Sequence, residues 1–147
     1  KLKDGSIAPW KSYDKLKPQQ REHIMAIKQD VKLLNSLGVY TGIDRALASI
    51  IEKRNLSVED IDWFLPHYSS GYFRKIIYDH LLSINFEIPY EKWFTNLYEK
   101  GNTGSASIYI ILEELFKSGK LKKGEKLLCF IPESGRFSHC YMMLTVQ

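Results

Sequence analysis

The chain has 147 residues, 44% of them hydrophobic and 26% charged, with 21 basic against 17 acidic side chains for a net charge of +4. That length suits one domain able to bury roughly 68–70% of its unfolded surface. No apolar run approaches the roughly 18 residues of a membrane-spanning helix, and no zinc-finger or RNA-recognition pattern occurs.

Residues 1–17 read as an irregular polar lead-in, and residues 18–147 as the folded domain. The charged opening without methionine reads as that of a piece cut from a longer polypeptide, and these residues do not read as a signal peptide. Pro18 suits a first helical turn, and Ile24, Ile27, Val31 and Leu34 recur at spacings of three and four up to Gly38, which is placed as a stop. A second helix, capped by Thr41, carries Ile43, Ala46, Leu47, Ile50 and Ile51 on its apolar stripe and ends at Asn55.

Ser57 with Asp60 three residues on forms a capped turn before "IDWFL", a run with the length and character of a buried strand that Pro66 closes. Phe73, Ile76, Ile77, Leu81 and Ile84 then mark an amphipathic helix, so His67 falls where a strand hands over to a helix. "WFTNLY" reads as a short strand leading to Gly101. The segment from Thr103 to Lys117 is a helix with no polar side through Ile108–Leu112, a pattern that predicts burial all round. "EKLLCFI" and "HCYMMLTV", joined by "PESGRFS", form a terminal antiparallel hairpin. Strands alternating with helices predict an α/β domain with a mixed sheet packed by helices.

Ligands of open α/β sheets bind beyond the carboxyl ends of the strands, where His67, Asn102 and the Ser134-Gly135 pair fall. An imidazole can move or donate a proton near neutral pH, a carboxamide can polarise a carbonyl, and a glycine lets a backbone N–H approach a substrate. Each also has a plain reading as a loop residue, a turn or a cap. Cys129 and Cys140, eleven positions apart and without a CxxC, exclude a disulfide framework, point to a reduced cytoplasmic setting and read as small strand hydrophobes. His23, His80 and His139 read as structural, and no paired spacing supports a metal site.

"DIDWFLPH", then "GNTGSAS", then "GEKLLCFIPESGRFS" resemble, in order and spacing, the C-terminal half of the β-ketoacyl-acyl carrier protein synthase III family of the thiolase superfamily. "IMAIKQDVKLL" is similar to the start of that family's first long C-terminal helix. The resemblance implies a Cys-His-Asn triad. His67 and Asn102 take the histidine and asparagine roles, Gly135 supplies an oxyanion-hole N–H, and the cysteine comes from an N-terminal half. It also implies acyl-coenzyme A and malonyl-acyl carrier protein as substrates with no bound cofactor, a homodimer in the full-length protein, and a buried helix whose N-terminus faces the site. Arg74, Lys75 and Arg136 are candidates for docking the acidic carrier, or else members of a solvated face. Tyr68-Ser69-Ser70-Gly71 and Glu133 depart from the family's Gln-Ala-Asn and glycine, which suggests a diverged member acting on unusual acyl chains, possible in secondary metabolism as well as in fatty acid synthesis. A catalytically silent subunit or scaffold that pairs with an active partner is the alternative.

Overall fold

The computed structural model describes Lys15, Lys17, residues 30–133 and residues 138–147. The chain falls into two units, residues 1–30 and 31–147, and the described residues lie almost wholly in the second. The lead-in apart from Lys15 and Lys17, and Pro18, His23, Ile24, Ile27, Ser134, Gly135 and Arg136, lie outside the described residues.

Helix α1 (Val31–Tyr40) runs without a break into a π-helical stretch, Thr41–Leu47, and then into α2 (Ala48–Arg54). Gly38 therefore does not stop a helix, and Thr41 caps none. The Thr41 hydroxyl instead donates back to the Leu37 carbonyl at 2.8 Å, as a threonine inside a helix commonly does. Asn55 does end α2, in the left-handed conformation at φ 48°. The Ser57–Asp60 capping box forms as the spacing predicts, around the short turn Val58–Asp60.

Strand β1 (Trp63–Pro66) and helix α3 (Tyr72–Ser83) follow. "WFTNLY" differs from its expected strand. Trp93 makes one isolated bridge to Phe64, and the chain then turns into the single-turn helix α4 (Leu97–Lys100). The Trp93 indole N–H donates to the Ile88 carbonyl at 2.8 Å, which holds the loop without a ladder. Helix α5 (Ser107–Lys117) begins after a 3-10 turn at Gly104–Ala106. The hairpin is β2 (Lys126–Glu133) with β3 (Ser138–Thr145).

The sheet has the order β1-β2-β3, with β1 parallel to β2 and β2 antiparallel to β3, which makes it mixed as the sequence pattern requires. Alternation along the strands divides the core. Phe64, Leu128 and Phe130 face Ile43, Leu47, Ile77 and Leu81, while Leu65, Leu127 and Cys129 face Ile108, Ile111 and Leu115 of α5. Helix α5 is not buried all round: Tyr109 and Phe116 are 68% and 73% exposed, on the side away from the sheet. One sheet face covers one stripe of a helix, so the remaining apolar side chains stand in solvent here.

Candidate functional site

His67 follows β1 directly, and its backbone N–H donates to the Phe130 carbonyl at 2.8 Å, extending the parallel ladder past Pro66. The ladder fixes the residue and leaves its side chain at the strand's carboxyl end, 7% exposed. Burial holds the imidazole below the ordinary histidine value, while the negative charge of Glu133 pulls the other way. The ring is therefore mainly neutral near pH 7, with one N–H to donate.

Asn102 reaches the same place from the turn before α5. Gly101 and Gly104 hold φ 73° and 62°, the left-handed values that glycine takes without a Cβ penalty. The Asn102 Oδ1 accepts from the Gly104 N–H at 2.9 Å, which leaves both amide hydrogens of Nδ2 for a ligand. Thr103 is anchored separately, since its hydroxyl lies 2.9 Å from that of buried Ser107, and its N–H donates to the same oxygen at 3.1 Å. The polar turn thus sits on the buried start of α5.

Both residues line one cavity of about 140 Å³. Leu34, Val39, Phe73, Ile77 and Phe130 make its apolar wall, and Glu133 and His139 join His67 and Asn102 on its polar side. An imidazole and a carboxamide on a largely apolar wall are two donors that a buried carbonyl oxygen can accept from as it gains negative charge.

His139, which the sequence assigns a structural role, is a cavity residue. Its ring stacks on Phe130 at 6.0 Å, and its Nε2 lies 3.0 Å from the Thr41 hydroxyl. That hydroxyl already spends its hydrogen on Leu37, so the imidazole Nε2–H is the donor, and Nδ1 is buried with no partner among the described residues. Burial lowers its pKa as well. The signal in the sequence was the hairpin itself, because the register Pro132↔His139 places this residue at the same sheet end as His67. His80 is structural as expected, its Nδ1 bonded to Asp44 of the π-helical stretch.

Neither cysteine lines the cavity. Cys129 is fully buried, and burial pushes its thiol up to about 12, whereas Cys140 is exposed rather than a buried hydrophobe because β3 is covered on one face only. Arg74 stacks over Tyr90 at 4.3 Å with its Nε buried, and exposed Lys75 pairs with Asp79. No cluster of His, Cys, Asp or Glu able to hold a metal occurs among the described residues, and no helix among them is long and apolar enough to cross a membrane.

The family profile described as 3-oxoacyl-[acyl-carrier-protein (ACP)] synthase III C terminal matches residues 51–132. The β-ketoacyl-[acyl-carrier-protein] synthase III of Clostridium perfringens is 40% identical over 86 residues, covering 58% of this chain and 25% of that protein. The enzyme of that name from Chlorobaculum tepidum is 35% identical over 107 residues, covering 73% of this chain and 31% of its own length. The crystal structure of 3-oxoacyl-[acyl-carrier-protein] synthase III from Aquifex aeolicus matches 81% of this chain and 36% of its own, with a TM-score of 0.64 at 28% identity. The chain thus spans about a quarter to a third of the length of these relatives.

Proposed function

The chain belongs to the 3-oxoacyl-[acyl-carrier-protein] synthase III C-terminal family, and from that premise we propose that it supplies the histidine and asparagine of a condensing enzyme. In the full-length protein, an acyl group carried on a cysteine of the N-terminal half meets malonyl-carrier protein at this cavity. His67 and Asn102 donate hydrogen bonds to the malonyl thioester carbonyl. Carbon dioxide leaves, its bonding electron pair becomes the enolate, and the enolate carbon attacks the acyl-cysteine carbonyl to release the thiolate. Donors fixed before the reaction stabilise the charge only as it develops, so they lower the barrier rather than merely tightening binding.

The observation that carries this reading is that two residues 35 positions apart, His67 and Asn102, line a single cavity at the carboxyl ends of β1 and β2. Gly135 would contribute the backbone N–H for acyl transfer. Acyl carrier protein and acyl-coenzyme A are the partners, with Arg74, Lys75 and Arg136 as docking cations, Arg74 held in place by its stack on Tyr90. The exposed Tyr109 and Phe116 give the rest of the polypeptide an apolar face to cover.

The test uses the full-length protein. His67→Ala and Asn102→Ala keep acyl loading from acyl-coenzyme A but lower malonyl decarboxylation by roughly 10²–10³-fold each. Condensation at normal rates by both variants sinks the assignment.

A further inference from the structure

Glu133 has no role in the chemistry above. It is the last residue of β2, in the strand pair that positions His67. In the parallel register Leu65 lies beside Cys129 and Pro66 beside Phe130, so the next step brings His67 beside Ile131. Leu65, Cys129 and Ile131 all belong to the cluster on the α5 side. Two residues on, Glu133 shares that side and reaches the cavity that His67 lines. Among the described lining residues it is the one with a formal charge at neutral pH.

We propose that Glu133 is a positioning residue for His67: its carboxylate, lining the same cavity, is the counter-charge that favours the doubly protonated imidazole, a donor at both ring nitrogens, toward a bound thioester. A carboxylate lining the same cavity favours the protonated ring, against the burial that disfavours it, and solvent tempers the effect because Glu133 itself is exposed. The direction of the effect on His67 agrees, since the Glu133 charge opposes the dominant effect of burial. Other titratable groups on this wall are Tyr68 after β1, its phenol raised by burial, and His139 on β3, lowered by burial; both are uncharged near pH 7. The described lining residues of α1, of α3 and of the Asn102 turn bring no charge.

The proposal rests on His67 facing a thioester, but its test needs no substrate. The ring signals of His67 and His139 are followed by NMR through a pH titration of this chain. In Glu133→Gln the His67 midpoint falls by roughly half a pH unit, Glu133→Asp restores most of it, and the His139 midpoint moves less. Raising the salt to about 1 M, where the screening length is about 3 Å, lowers the His67 midpoint of the unaltered chain in the same direction. A His67 midpoint indifferent both to Glu133→Gln and to salt overturns the proposal. A normal coupling in a full-length enzyme whose His67→Ala variant still condenses would instead refute the functional reading and leave the electrostatic pair standing.

Discussion

The His67 backbone N–H donates to the Phe130 carbonyl at 2.8 Å, so the imidazole hangs from the end of a parallel strand pair rather than from a loose loop. The next rung would need an N–H from residue 132, and Pro132 has none, so this bond is the last between the two strands.

Burial at that rung sets a pH dependence. His67 and His139 both have folded values below their unfolded ones, so the unfolded chain takes up protons first as the solution is acidified. Their contribution to stability is complete above about pH 6.5 and is lost as pH falls through that value toward the folded ones. The melting temperature should drop between about pH 6.5 and 5, with a smaller drop in the His67→Gln, His139→Gln double variant. Carboxylates such as Asp60, held low by its bond to Lys126, act in a separate, more acidic window. A melting temperature that climbs on acidification across pH 6.5 to 5 contradicts this account.

Two glycines should fail for different reasons. A Cβ on Gly42 would stand 2.9 Å from Phe130 Cζ and 3.0 Å from His139 Nδ1, against the cavity wall. Gly42→Ala should cost about 1–3 kcal/mol through overpacking and shift the His139 ring signals. At Gly104 a Cβ meets nothing within 4 Å, but φ is 62°. Gly104→Ala should cost about 1 kcal/mol through backbone strain alone and leave His139 undisturbed. Urea unfolding and the ring spectra separate the two.

Neighbouring positions of α5 should respond oppositely to truncation. Leu115 is fully buried against the sheet and Phe116 is 73% exposed. Leu115→Ala should destabilise the chain by about 2–5 kcal/mol in urea. Phe116→Ser should change stability by less than about 0.5 kcal/mol and reduce self-association measured by light scattering.

Thiol chemistry provides an independent check on the strand assignment. Cys129 is buried with its thiol pushed up to about 12, and Cys140 is exposed on β3. Iodoacetamide on the native chain should modify Cys140 at least ~10²-fold faster than Cys129, with the difference vanishing in denaturant. Equal native rates, read by mass spectrometry, would mean that the β2 assignment is wrong.

The legible features were those with short periods or local chemistry. Short apolar runs mark β1, β2 and β3, the Ser57–Asp60 spacing marks its capping box, and two polar turns mark His67 and Asn102. What escaped depends on tertiary partners. Nothing in "TGIDRAL" distinguishes a π-helical turn from an α-helical one, and Gly38 reads as a stop, though it lines the cavity inside α1. His139 reads as an isolated histidine until the hairpin register brings it to the cavity. The apolar "IYIIL" reads as helix and is one, but composition alone does not say how many layers cover it.

The π-helical stretch has one further consequence. Wider turns between Thr41 and Leu47 delay the angular phase of everything downstream, so α1 presents Leu34 and Gly38 to the cavity while Ile43 and Leu47 point into the core. Excising a single residue there would let the segment relax into ordinary helix and leave α2 close to its present rotation, because the wide turns absorb about one residue's worth of the ~100° step. Helicity and the alignment between the two buried faces would both survive such a deletion.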